Sequence, residues 1–369
     1  MRARGAARAA LLCAAPPCSA LRRFAAAGRA RAAPAAPGEG GERTRSPARA
    51  RSPAARAGAA AAASAPDAHE EPASPAPVLL KRLCESLLTG YIGSSPTAAN
   101  VLHELHRTKE IEVHIDHIAF RSFGVEGLGI DAAARVWLDL GYERRGDLAF
   151  PGKKLRATWL APPRPPKGED APLPRIFVSE VDVAALSKRA QAIIARVTAR
   201  AGGLGRHAAM AALVHEPPWP VQSFADYEAL AKESEYAAWV LAHGFTANHV
   251  TVAVHRLKSP PHAPLSLEEV NEVALAQGAA MNAVGGIIKT SADGLLRQSS
   301  TLADSIAIMF AEGLVEVPGS YLEFAERLPL PEFASLPRAR LREFHRRDGF
   351  EVASADKIFH STAATQNSK

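Results

Sequence analysis

From residue 78 to 105 apolar residues recur at helical steps: Leu79, Leu80, Leu83, Leu87 and Leu88 precede Gly90 and a Ser-Ser-Pro turn, and a second helix is predicted from about 97 to 109. Residues 112–121 then alternate as a strand does. A helical stretch follows at 131–140 and stops at Gly141, and strand-like runs at 142–150, 155–160 and 175–178 complete a β-α-β-β-β order. The same order returns with a strand at 247–254, a helix at 267–277, and strands near 281–289, 295–298, 305–310 and 321–324. This reads as an internal duplication in which two copies build one core. Residues 183–243 between them are mostly helical, clearest at 185–200 and 227–241, and read as an insertion. The competing reading is one irregular α+β domain without duplication.

Composition changes this picture at the N-terminus. Of the 369 residues, 47% are apolar and 22% charged, which suits an ordinary soluble protein and excludes collagen, mucin and knottin classes. The net charge of +6 is unevenly spread: residues 1–66 hold 12 Arg, no Lys and only Glu39 and Glu42, or +10, leaving −4 for the rest. Residues 1–75 are rich in Ala, Arg, Pro and Ser, with Arg2, Arg4, Arg8, Arg22 and Arg23 flanking short apolar patches, as in an organellar transit peptide. A plain disordered tail is the alternative, and charge alone does not separate plastid from mitochondrion. Because the basic excess lies in this segment, nucleic acid is not an expected partner. Cys13 and Cys18 fall there too, so Cys84 is alone in the body and no intramolecular disulfide is expected. No run is apolar enough for a membrane span, so the mature protein is expected to be soluble.

Candidate chemistry lies on the strands, where residues two apart share a face. His117, Ala119 and Arg121 point together, with His114 and Asp116 expected on the opposite face beside Ile118 and Phe120. His249, Thr251, Ala253 and His255 share a face in the second copy, as do Tyr321, Glu323, Ala325 and Arg327 in the last strand. His117, His249 and Glu323 would form a two-histidine, one-carboxylate set, which suits a non-haem Fe(II) ion with open coordination positions. Spacing alone leaves each strand histidine equally readable as a hydrogen-bonded core residue. The Arg121 side chain can fold back to clamp a carboxylate, or pair with a surface acid. Gln298, Ser299, Ser300 and Thr301 interrupt an apolar strand pattern, marking a pocket wall or a strand end. His207, His215, His243 and His345 receive no role.

Several separated stretches carry a resemblance: His117-Ile-Ala-Phe-Arg121, Asn248-His-Val-Thr251, Gly286-Ile-Ile-Lys289, Leu296-Arg-Gln-Ser-Ser-Thr301, Tyr321-Leu-Glu-Phe-Ala-Glu-Arg327 and Gly349-Phe-Glu-Val-Ala-Ser-Ala-Asp-Lys357. Over about residues 78–362 the chain resembles the 2-oxoadipate dioxygenase/decarboxylase family, especially its plastid-type plant and algal members. The resemblance implies an α+β, vicinal-oxygen-chelate fold, in which a pair of βαβββ modules surrounds a metal. In this chain that means module one at 110–180, a helical insertion at 181–244, module two at 245–330 and a C-terminal segment at 331–369, after a helical N-terminal segment. It implies Fe(II) as cofactor, held by His117, His249 and Glu323, with Glu316 and Glu326 as nearby alternatives to the carboxylate. Arg121 is implied to bind substrate. The implied reaction turns 2-oxoadipate and O2 into 2-hydroxyglutarate and CO2, a step of lysine catabolism in the plastid stroma, with the mitochondrion as the alternative site. Rival readings are an isomerase or lyase of the same fold, using Zn or Ni as a Lewis acid, and a non-catalytic plastid binding protein.

Overall fold

The central strand Ile115–Phe123 (β1) is apolar or buried on both faces, as befits a strand with neighbours on each side and layers above and below. A computed structural model of the chain describes residues 76–108, 110–164, 173–199, 201, 217–259 and 263–363. Residues 1–75, read above as a transit peptide, lie outside the described residues. After β1 come helix Ile130–Asp139 (in chain order α3), and strands Glu143–Phe150 (β2), Leu155–Ala161 (β3) and Arg175–Val181 (β4). Helices Ala76–Ser94 (α1) and Pro96–His103 (α2) precede β1. Helices Lys188–Thr198 (α4), Phe224–Ala231 (α5) and Glu235–His243 (α6) connect β4 to strand Ala247–Ala253 (β5).

The second half adds the two-residue strands Lys258–Ser259 (β6) and Ala263–Pro264 (β7), helix Leu267–Ala276 (α7), and strands Lys289–Thr290 (β8), Leu296–Ser300 (β9), Ser305–Phe310 (β10), Gly313–Pro318 (β11) and Tyr321–Arg327 (β12). Helix Val352–Ile358 (α8) lies in the C-terminal segment.

Eight strands form one sheet in the order β2-β3-β4-β1-β5-β12-β9-β8. Read outward from the β1–β5 seam, the halves match: β4 runs parallel to β1 and β12 parallel to β5, then β3 and β9, then β2 and β8, are added antiparallel. β1 and β5 meet antiparallel, which relates the halves by an approximate two-fold. The fold is therefore the α+β vicinal-oxygen-chelate arrangement, a pair of βαβββ units with helices before and between them. Even the helix stops correspond. α3 is followed by Gly141 at φ 95° and α7 by Gly278 at φ 82°, left-handed positions that a side chain would strain.

The second copy departs from its sequence reading in two places. The run 305–310 pairs only with β11, in a separate hairpin outside the main sheet. Between a single bridge at Met281 and the start of β8 at Lys289, residues 282–288 form a loop rather than a strand: Gly285 and Gly286 take φ 70° and 95°, and the buried Lys289 ammonium folds back to donate to the Asn282 carbonyl at 2.6 Å. Among the described residues no helix is long and apolar enough to cross a membrane.

Candidate metal centre

Three neighbouring strands supply three convergent side chains. Sheet register sets His117 opposite Thr251 and Thr251 opposite Glu323, while His249 lies one step along the same face. The ligating atoms of His117, His249 and Glu323 all fall within 4.8 Å of one another, and all three residues are buried. His117 Nε2 and His249 Nε2 are 3.3 Å apart, and His249 Nε2 lies 3.3 Å from Glu323 Oε2. His117 Nε2 lies 3.9 Å from Glu323 Oε1.

The partners of the far nitrogens determine where the imidazole protons sit. His117 Nδ1 is 2.9 Å from Asp116 Oδ1. Burial alone would raise the Asp116 carboxyl, but Arg327 at 2.6 Å and Arg175 at 3.4 Å hold it well below the usual carboxylate range. An ionised carboxylate only accepts, so Nδ1 donates to it and Nε2 faces inward. His249 Nδ1 likewise faces the Asn248 amide oxygen at 3.1 Å. Burial, reinforced by His117 and Arg121, keeps His249 well below its ordinary titration range, hence neutral. The two Nε2 atoms face each other beside Glu323, whose carboxyl burial raises above its usual value against the opposing pull of His117 and a 2.6 Å hydrogen bond from Gln298. Such a convergent group of ligand atoms fits a divalent cation, and imidazole with carboxylate suits iron or a related borderline metal.

Asp116 was expected on the far face of β1. The β1–β5 register shifts between Ile115 and His117, and this bulge brings its carboxylate to the His117 ring. The sequence held a signal for it, since both strands carry a hydrogen-bonding residue directly before the histidine: Asp116-His117 and Asn248-His249. Alternation places Thr251, whose hydroxyl lies 3.0 Å from His117 Nε2, and Tyr321 on these faces without giving them a role, whereas Phe177, Phe350 and Phe359, which complete the aromatic wall, escaped the sequence reading. Phe350 meets the His117 ring edge-on at 4.8 Å, and Tyr321 stacks on His249 at 4.7 Å.

Arg121 is buried, with its guanidinium over Tyr236 at 4.9 Å and Trp239 at 5.2 Å. Among the described residues only Nη2 has a hydrogen-bond acceptor, the Thr362 hydroxyl at 3.1 Å; Nε and Nη1 have none there, nor has the buried hydroxyl of Tyr321 a partner. Burial pushes that hydroxyl well above its usual range while Arg121 beside it pulls the other way. A buried guanidinium with two unused N–H groups is costly unless an anion completes it. Gln298 reaches the centre through Glu323. Ser300 turns to Ser361 at 2.9 Å on the C-terminal segment, and Ser299 faces the other way, donating to Asn271 of α7 at 2.6 Å. The structure therefore does not bring Ser299 to the site. Glu316 lies in the separate hairpin, and Glu326 pairs with Arg297 at 2.7 Å, so neither joins the histidines.

Paired βαβββ units holding two histidines and a carboxylate at their seam define a vicinal-oxygen-chelate type of metal site. The family model of 2-oxoadipate dioxygenase/decarboxylase matches residues 90–336, and the chain belongs to that family. It is 42% identical over 287 residues to the chloroplastic 2-oxoadipate dioxygenase/decarboxylase of Arabidopsis thaliana, covering 76% of each chain. It is 45% identical over 281 residues to the chloroplastic/amyloplastic enzyme of that name from Oryza sativa subsp. japonica, covering 75% of this chain and 76% of the other. The crystal structure of an Oryza sativa hydroxyglutarate synthase in complex with 2-oxoadipate superposes with a TM-score of 0.76 at 42% identity, covering 84% of this chain and all of that one.

Proposed function

We propose that this chain is an Fe(II)-dependent plastid enzyme that converts 2-oxoadipate and O2 into 2-hydroxyglutarate and CO2, a step of lysine catabolism. Family membership and the names of its plant relatives support the substrate and the reaction. One observation carries the metal: the ligating atoms of two buried imidazoles and a buried carboxylate converge within 4.8 Å of one another.

His117, His249 and Glu323 would hold the ion on one side. Fe(II) there would anchor the 2-oxo acid and supply the one-electron chemistry that O2 needs. The remaining work falls to the protein. Asp116 and Asn248 fix the imidazole orientation, and Gln298 fixes that of Glu323. The unused N–H groups of Arg121 take a carboxylate of the dicarboxylic substrate. The ring faces of Phe177, Phe350 and Phe359 keep bulk water from the reacting carbon. Since one oxo acid supplies both the electrons and the carbon that is hydroxylated, no second organic co-substrate is required.

The chloroplastic names of the relatives support the plastid, and on this reading residues 1–75 are the transit peptide and the remainder is one oxygenase domain. The test is to load the full chain with Fe(II) without air, mix it with 2-oxoadipate and oxygen, and follow both gases. One CO2 released per O2 consumed is expected, with neither change in Glu323→Ala. Equal turnover by that variant, or product formed without O2 uptake, overturns the reading.

A further inference from the structure

Three of the five buried side-chain polar atoms that have no partner among the described residues belong to two neighbours in space: Nε and Nη1 of Arg121 and the hydroxyl of Tyr321. Sheet register explains the grouping. His117, Thr251 and Glu323 form one row across β1, β5 and β12, and Ala119, His249 and Tyr321 form the next row in the direction of Arg121. Tyr321 lines the cavity of the metal centre, and Arg121 lies two residues beyond Ala119 on β1. Apart from burial, each group is the strongest influence on the other's protonation, so guanidinium and hydroxyl stand side by side.

The fold gives the Tyr321 hydroxyl nothing to bind. Its ring stacks on His249 at 4.7 Å, a contact that a phenylalanine ring would make as well, and its backbone carbonyl accepts from the Tyr91 hydroxyl at 2.5 Å. Tyr236, the other tyrosine against Arg121, differs: its hydroxyl is engaged by the Ser179 hydroxyl at 2.8 Å and by the Ser122 N–H at 3.2 Å. Burying a hydroxyl unpaired is unfavourable, so its presence beside two spare guanidinium N–H groups points to one acceptor for all three. A carboxylate fits, because its two oxygens accept a guanidinium fork and still offer a lone pair to a third donor.

We propose that Tyr321 is a specificity-determining residue whose hydroxyl donates to the carboxylate that Arg121 holds, selecting a 2-oxo acid with a second carboxylate over one that ends in an alkyl group. The inference rests on the substrate reading given above and adds a residue to it.

The test is isothermal titration of the Co(II)-loaded full chain, without air, with 2-oxoadipate and with 2-oxohexanoate, which keeps the oxo acid head and carries a methyl group in place of the far carboxylate. Tyr321→Phe is expected to bind 2-oxoadipate about ten-fold more weakly and 2-oxohexanoate as weakly as the native chain does, since a single hydrogen bond to a charged group is lost. Its Co(II) affinity and its denaturant midpoint without metal should not fall, because the ring stays on His249 and the missing hydroxyl had no partner in the fold. Unchanged affinity for 2-oxoadipate, equal weakening for both acids, weaker Co(II) binding or a lowered midpoint each overturns the assignment. The titration needs no turnover. A native chain that prefers 2-oxoadipate but consumes no O2 would sink the reaction and leave Tyr321 in its role, whereas normal turnover with undiminished binding by Tyr321→Phe would do the reverse.

Discussion

The two halves of the sheet place the same backbone around the seam but do not offer the same side chains to it. His117 and His249 occupy matching positions, and two residues on, Ala119 pairs with Phe177 of β4 where Thr251 pairs with Glu323 of β12. By the approximate two-fold, Phe177 stands where the second half has its carboxylate. The duplicated frame thus has four inward positions, and one of them carries a hydrocarbon ring. A metal held at the seam would have three protein ligands and an open side toward Phe177, the arrangement that leaves room for substrate and oxygen.

Filling that fourth position is the strongest way to break the comparison. Phe177→Glu is expected to retain stoichiometric metal while turnover falls to background, because a fourth protein ligand occupies the side that the oxo acid requires. Metal analysis and O2 uptake on the same sample would check it. Retained turnover would show that the open side lies elsewhere.

The halves also differ in what stands behind each histidine. Asp116 backs His117 and is itself clamped by Arg327, which further donates to the Arg347 and Gly349 carbonyls at 3.1 and 2.8 Å and so fixes the approach of Phe350. Asn248 backs His249 with a neutral amide whose nitrogen has no partner among the described residues. Asp116→Asn leaves the fully buried Arg327 without its counter-charge and is expected to cost about 3–5 kcal/mol in denaturant unfolding of the metal-free protein. Asn248→Ala should cost nearer 1 kcal/mol. Both variants should weaken Co(II) binding by about 10–100-fold, because each loosens one imidazole. Equal stability losses would mean that the Arg327 network contributes nothing beyond the hydrogen bond.

A third buried imidazole, outside the pair, separates the effect of burial from that of the metal. His243 in α6 lies against the Pro318 carbonyl at 2.8 Å, and burial lowers it from the usual 6.5 to about 4. The unfolded chain takes up a proton below about 6.5 and the native one only near 4, so its contribution is complete above 6.5 and is lost as pH falls through that window. The loss is at most about 3 kcal/mol. His243→Gln, which keeps a donor for the carbonyl, should flatten the fall in unfolding free energy between pH 6.5 and 4. An unchanged slope would place the acid sensitivity in other groups.

What the sequence made legible follows the period-two rule where strands are regular. His117 with Arg121, and His249, came out on their strands from alternation alone, and the paired β-α-β-β-β order gave the halves. Alternation failed at Asp116, because one bulged residue reverses a side chain's face without any mark in composition. It also placed 305–310 within the sheet, since a detached hairpin and a sheet strand share the same apolar pattern. Convergence of His117, His249 and Glu323 was not derivable from spacing, because it depends on which strands are neighbours. The resemblance supplied that link.

The polar stretch in β9 shows the same limit at its smallest scale. Gln298, Ser299 and Ser300 read as one pocket wall, yet adjacent residues of a strand face opposite ways, and Ser299 binds Asn271 on the helix side while Gln298 binds Glu323. The matching strand of the first half, β3, carries Ala157, Thr158 and Trp159 in its middle, so an amide reaching the centre comes from the second half. Ser299→Ala is accordingly expected to cost about 1 kcal/mol of stability, by leaving a buried amide oxygen without its donor, and to leave turnover and KM for 2-oxoadipate unchanged. Gln298→Ala should lower turnover at similar stability, because Glu323 then loses the hydrogen bond that orients it. Steady-state rates and denaturant midpoints for the two variants separate these outcomes, and a lowered turnover in Ser299→Ala would return that hydroxyl to the reaction side of the sheet.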